Sequence, residues 1–190
     1  MVAPFSPVCC LRATSCGRHP TKYEAEGGPG VAECGSLIRA HAAGPGVGLL
    51  RFLDALLFNV LIGNADAHSK NYSLLLEGPG APRLAPLYDL ISTRAYGRRF
   101  GRKMGMKYGG EYRPDRIRGR HLDRLGDALG IAHRRVRKQH AEDMATAALR
   151  SRAGARDRLD DPWRQDPILD SIDETVELFA GALAAAAEPA

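Results

Sequence analysis

From Val47 onward, Leu49, Leu53, Leu56, Leu57, Val60 and Leu61 recur at three- and four-residue steps, which predicts a helix with one buried stripe ending at Gly63. The next eight residues, 64–71, are polar and cannot extend that stripe. Residues 72–76 then predict a strand, E-G-P-G-A-P a turn, and 83–86 a short return strand. Upstream, K-Y-E-A-E-G-G-P-G (22–30) is rich in turn formers and leads into a short helix expected over about 29–42. Downstream, 103–107 reads as another short strand with a turn at Gly109 and Gly110. Helices are expected over 117–129, stopped by Gly130, and over 132–153. A last helix over 168–187 carries Ile168, Ile172, Val176, Phe179 and Leu183 at helical spacing. The expected fold is mainly α (α+β), with a small β-hairpin beside the polar loop and a helical bundle behind it. Residues 1–21 show no sustained period and are expected to be a disordered leader, leaving one domain over 22–190.

Composition narrows the class. With 190 residues, 44% of them apolar, the chain can build one buried core. Its longest apolar run, 49–63, contains Arg51 and Asp54 and falls short of the ~20 residues of a membrane span. No early positive cluster marks a secretory signal, and Arg12 interrupts the first apolar stretch, so a cytoplasmic protein without membrane association is expected. Cys9, Cys10, Cys16 and Cys34 form no C-x-x-C pair; they read as free thiols, Cys16 with His19 being the one suggestive metal-binding pair.

The net charge of +5 hides an asymmetry: residues 94–158 carry nineteen basic against seven acidic side chains, whereas 159–190 carry one against eight. Such blocks can bind phosphates or nucleic acid, or pair with each other. Arginine outnumbers lysine 22 to 5, which suits phosphate forks and equally follows from GC-rich coding. Arg134, Arg137 and Lys138 share a helical face that could touch DNA phosphates, although a solvated surface is the simpler expectation.

The polar loop G-N-A-D-A-H-S-K-N (63–71) and the following L-A-P-L-Y-D (84–89) carry the candidate chemistry. Asp66 and Asn71 are five apart, the spacing of a phosphoryl-transfer loop in which the Asp engages the substrate hydroxyl and the Asn holds a metal ion. Asp89 supplies a second hard oxygen ligand, so Asn71 and Asp89 together suit Mg²⁺. Lys70 can reach a phosphate of ATP as a point charge, and His68 stands on the same nucleotide side or fixes the loop through a backbone carbonyl. A structural alternative is that Asp66 and Asn71 are turn residues and Asp89 caps a helix starting near Leu90. G-P-G-V-G (44–48) superficially looks like a phosphate loop but follows no strand and leads into the buried helix, so it reads as a linker.

K-Y-E-A-E-G-G-P-G, L-I-G-N-A-D-A-H-S-K-N-Y-S-L, L-A-P-L-Y-D-L-I-S-T and K-M-G-M-K-Y-G-G-E-Y together resemble HipA-like serine/threonine kinases, the toxins of bacterial toxin–antitoxin pairs, over 22 to about 154. The resemblance is to their C-terminal domain only, and it implies a protein-kinase-like C-terminal lobe. It implies Asp66 as the catalytic aspartate, Asn71 and Asp89 as ligands of Mg²⁺ with ATP, and a Ser or Thr of a protein as acceptor. It also implies a HipB-like antitoxin as partner, with DNA met only through that complex. Family members carry an N-terminal lobe with a phosphate-binding loop ahead of the segment matching Lys22. Nothing in 1–21 replaces that lobe, so weak or no transfer is expected of this chain, with nucleotide binding correspondingly weak. Two rival readings are a noncatalytic module associated with an antitoxin and DNA, and a decayed gene fragment.

Overall fold

The computed structural model describes residues 8–10, 21–76, 80, 82–99 and 102–187. Three short strands, β1 (Val8–Cys10), β2 (Ser73–Leu75) and β3 (Arg83–Leu84), form one antiparallel sheet in that order, with Cys9 opposite Leu74 and Leu74 opposite Leu84. Five helices make up the rest: α1 (Val31–His41), α2 (Pro45–Leu61), α3 (Gly119–Ala128), α4 (Arg134–Arg156) and α5 (Ile168–Ala187). The mainly helical lobe with its β2–β3 hairpin agrees with the pattern of the chain. β1 falls inside the segment expected to be a disordered leader; the rest of that segment up to Pro20 lies outside the described residues, as do Cys16 and His19.

The centre of the molecule is α2. Phe52, Leu53, Leu56, Leu57, Val60 and Leu61 are at most 2% exposed, and removing each large side chain from water is worth about 1.5–3 kcal/mol. That stripe meets α1 on one side and α4 and α5 on the other. Phe52 also stacks edge-on against Tyr72 at 4.8 Å, tying the helix to the start of the hairpin. Pro45 opens α2 in its first turn, where its missing N–H costs nothing. G-P-G-V-G is therefore neither a phosphate loop nor a linker but the beginning of this helix. The helix ends at Leu61, and Gly63, with a φ of +65°, lets the chain turn away into the polar loop.

The strand expected over 103–107 is not formed. Met104, Gly105 and Met106 are all buried between exposed Lys103 and Lys107, so the segment is enclosed through its middle rather than on one face, and its backbone partners are not a ladder. Met104 N–H donates to Tyr112 O (2.8 Å), Gly105 O accepts from Glu24 N–H (3.1 Å), and Lys107 N–H donates to the Glu24 carboxylate (2.6 Å). A Cβ at Gly105 would lie 2.5 Å from Ala67 O, so this segment passes directly against the polar loop.

The two charge blocks pair with each other along α4 and α5. Arg156 bonds Asp170 (2.7 Å) and approaches Asp173 (3.5 Å), and Arg152 bonds Glu177. The proposed DNA-facing trio is also committed internally. Arg134 pairs with Asp123 (2.8 Å), and Arg137, only 7% exposed, bonds Asp127 (2.9 Å) and the carbonyl of Asp123. Those three residues therefore do not form one open phosphate-binding face. No helix among the described residues is long and apolar enough to cross a membrane.

Candidate active site

Asn64 organises the loop that leaves α2. Its side-chain Nδ2 donates to Asn59 Oδ1 (2.8 Å) and to Asp89 O (3.1 Å), while its Oδ1 accepts the backbone N–H of Asp66 (3.1 Å). Asn59, 2% exposed in the last turns of α2, is itself satisfied by donating to Ala55 O (2.9 Å) and Tyr72 OH (3.0 Å). Thr93 closes the same corner: its hydroxyl donates to Gly63 O (2.9 Å) and accepts from Ala65 N–H (2.8 Å). The backbones bearing Asp66 and Asp89 are thus held by one buried amide.

Asn71 and Asp89 meet directly. Asn71 Nδ2 donates to Asp89 Oδ2, and Asn71 Oδ1 accepts the backbone N–H of His68 (2.9 Å). Asp89 is exposed and sits at φ +56°, a left-handed conformation that Asp tolerates better than most residues. No helix starts at Leu90, so Asp89 does not act as a helix cap; the next helical turn is Thr93–Arg99. Tyr88 donates to Lys70 O (2.6 Å) and accepts from Ser73 (2.6 Å), which fixes the Asp89 segment to the loop.

Asp66 stands on the other side. Lys22 Nζ reaches both of its oxygens, at 3.0 and 3.3 Å, and Tyr23 OH donates to Oδ1. Burial opposes ionisation of this carboxyl, but the hydrogen bonds from Tyr23 and Lys22 and the charge of Lys22 outweigh it, holding it below the usual carboxylate range. His68 is buried, with Nε2 4.0 Å from Asp66 Oδ1, too far for a hydrogen bond. Burial lowers its pKa despite the attraction of Asp66, so the ring is neutral at pH 7. The loop is fixed through the His68 backbone, whose carbonyl accepts Asn71 N–H (2.9 Å), while its ring Nδ1 and Ser69 Oγ have no hydrogen-bond partner among the described residues. Lys70 lies half-buried in the same turn.

A recess of about 250 Å³ opens onto Asp66, with Tyr23 and Glu26 on one wall and Lys103, Met104 and Gly105 on the other. All five residues singled out from the sequence therefore belong to one loop and the segment strapped to it. Asp66 sits at the recess, Asn71 and Asp89 form a bonded pair, and His68 and Lys70 lie between them in the chain. Lys22, Tyr23, Asn59, Asn64 and Thr93 were not anticipated. Asn59 left a trace as a polar residue in the buried run of α2, and Lys22, Tyr23, Asn64 and Thr93 stood inside the quoted motifs with no role assigned to them.

Asn71 and Asp89 carry oxygens of the hard type that Mg²⁺ prefers, and Mg²⁺ takes few protein ligands, filling its shell with water and phosphate oxygens; in this structure Asn71 Oδ1 accepts from His68 N–H and its Nδ2 faces Asp89, so the exposed Asp89 carboxylate is the oxygen donor turned to solvent. Among the described residues no cluster of three or more His, Cys, Asp or Glu could hold a metal through protein ligands alone.

A helical lobe that presents an Asp, and an Asn–Asp pair, at the end of its most buried helix is a C-terminal lobe of protein-kinase-like fold. The chain belongs to the HipA-like C-terminal domain family, whose family model matches residues 9–152. It is 53% identical over 76 residues to a Sinorhizobium fredii protein named "Putative kinase Y4mE", covering 40% of this chain and 18% of that protein. It is 50% identical over 44 residues to the serine/threonine-protein kinase toxin HipA of Shewanella oneidensis, covering 23% of this chain and 10% of that one. A solved complex of Shewanella oneidensis HipA, HipB and operator DNA superposes with a TM-score of 0.68 and 25% identity, over 92% of this chain and 41% of the solved one. The chain thus spans less than half the length of each of these relatives.

Proposed function

We propose that this lobe serves ATP-dependent phosphoryl transfer to a Ser or Thr of a protein. The observation that carries the reading is the hydrogen-bond system in which Asn64 joins the backbones of Asp66 and Asp89 while the Asp89 carboxylate bonds Asn71. Asp66, ionised and beside an open recess, orients the acceptor hydroxyl and takes its proton. Asn71 and Asp89 would hold Mg²⁺ with the nucleotide phosphates, where the ion neutralises charge that develops during transfer. Lys70 adds a point charge on the phosphate side, and neutral His68 keeps the loop closed through its backbone.

The chain spans 41% of the solved HipA chain, and these residues alone offer only the acceptor and metal side of the reaction. We therefore assign slow or undetectable transfer to them in isolation, with weak nucleotide binding, because misplacement by about 1 Å can cost 10²-fold. A HipB-like antitoxin is the proposed partner, supported by the likeness to HipA in its complex with HipB and DNA. The test uses the protein as its cell makes it, with Mg²⁺, labelled ATP and candidate acceptor proteins. Transfer lowered by about 10³-fold to a low residual rate in Asp66→Ala, with Mg²⁺–ATP affinity lowered by Asp89→Ala in calorimetry, is the expected result. Transfer in Asp66→Ala within about tenfold of wild type, or nucleotide binding indifferent to Asp89, would refute the reading.

A further inference from the structure

Beyond the loop itself, the strongest unassigned contact is the one made by Lys22 and Tyr23, 44 and 43 residues before Asp66. The two are presented rigidly. Tyr23 O accepts from both Glu26 N–H (3.1 Å) and Gly28 N–H (2.9 Å), and the turn Glu24–Glu26 closes at Gly27 with φ +87°. Glu24 then straps the turn to 105–107 through Gly105 O, Lys107 N–H and the Lys107 ammonium at 3.7 Å. Lys22 lies over the Tyr23 ring at 4.7 Å, and that ring meets His68 edge-on at 5.7 Å. The charged and titratable groups facing Asp66 or lining its recess are thus Lys22, Tyr23 and Glu26 from the turn, His68 from its own loop, and Lys103 from the opposite wall.

The choice of cation supports a specific task. The chain uses 22 arginines and only five lysines, yet Lys22, Lys70, Lys103 and Lys107 are all in this loop, the recess or the strap beside them. An ammonium is a compact point charge on a flexible stem, whereas a guanidinium is a flat fork that locks onto a carboxylate. Resting on the kinase reading above, we propose that Lys22 and Tyr23 are positioning residues for the transfer reaction, acting through Asp66 by fixing which carboxylate oxygen faces the acceptor in the recess. Tyr23 and Lys22 both bond Oδ1, and only Lys22, at the longer 3.3 Å, touches Oδ2. Oδ2 is consequently the oxygen left to receive a hydroxyl.

The test is a double-mutant cycle in the protein as its cell makes it. Tyr23→Phe, which removes one oxygen atom, and Lys22→Met should each lower kcat by about 10- to 100-fold. The affinity for Mg²⁺–ATP, measured by calorimetry, should not change. In an Asp66→Ala background the same two substitutions should have no further effect, because their action runs through the missing carboxylate. Lys22→Arg should not recover the loss, because a guanidinium fork takes both carboxylate oxygens, and the ¹³C carboxyl resonance of Asp66 should move in Tyr23→Phe. Additive losses in the Asp66→Ala background, as a general weakening of the fold would give, would overturn the proposal, as would an unmoved Asp66 resonance. A wild-type protein that transfers no phosphate removes the kinase reading instead, and with it the positioning role, leaving the pair as a structural clamp.

Discussion

Replacing Asn64 by alanine removes the amide on which both halves of the site depend. Three hydrogen bonds go, at 2.8, 3.1 and 3.1 Å, each worth about 0.5–1.5 kcal/mol net. Asn59 Oδ1, in a residue 2% exposed, loses its donor, and an orphaned buried acceptor costs about 1–3 kcal/mol. Allowing for overlap between these terms, the loss should be about 2–4 kcal/mol, a large share of a stability on the order of 5–15 kcal/mol. For a chain of this size that lowers the melting temperature by about 5–15 °C. Urea unfolding followed by circular dichroism measures it directly. Asn64→Asp should do no better than alanine, since it keeps the acceptor for Asp66 N–H but turns an oxygen toward Asn59 Oδ1 and Asp89 O. In the Asn59→Ala, Asn64→Ala pair the losses should fall short of additive by about 1 kcal/mol or more, because the second change has no remaining partner to orphan. A cost for Asn64→Ala below about 0.5 kcal/mol, or strict additivity with Asn59→Ala, would refute the idea that this amide joins the two halves.

Four further outcomes follow from the contacts. Gly105→Ala brings a Cβ to 2.5 Å from Ala67 O, backbone against backbone, and should cost about 1–3 kcal/mol in urea unfolding, displacing the loop amide resonances of 66–71. Stability should fall with pH in two windows, read as melting temperature against pH. His68 has a lowered folded pKa, so its contribution is intact above about 6.5 and declines below it, a slope that His68→Gln should flatten; Asp66, also lowered, holds its contribution above its ordinary value of 3.8 and loses it as pH falls through the lower folded value. Arg156→Ala, which breaks ion pairs to the 65%-exposed Asp170 and to Asp173, should cost little, and less still in 1 M salt. Arg137→Ala, whose guanidinium is buried on the carbonyl of Asp123, should cost more than Arg156→Ala and respond little to salt.

What could be read from the chain was whatever had a period or a punctuation mark. The α2 stripe, the positive-φ Gly63 just past its end, the pairing of β2 with β3 and the spacing of α5 were legible because local geometry and burial agree there. The sequence 103–107 misled because K-M-G-M-K has the alternation of a strand while its hydrogen bonds go to a turn 80 residues away and to Tyr112. Alternation reports burial, not a partner strand. Asp66, Asn71 and Asp89 could be singled out by residue type and spacing. Lys22 and Tyr23 could not, because no local rule links a turn to a carboxylate 44 positions later. The charge blocks left two outcomes open, and the pairing of Arg152 and Arg156 with the acidic helix became visible only in the packing of α4 on α5.

Asp66 and Asn71 follow within ten residues of Leu61, the last residue of the helix at the centre of the core, and Asn59 grips their loop from inside that helix. Heat can therefore not disarm this centre piecemeal: the groups that would do the chemistry have no private hinge on which to fray while the body stays intact. Function and fold should vanish over the same few degrees, as one event.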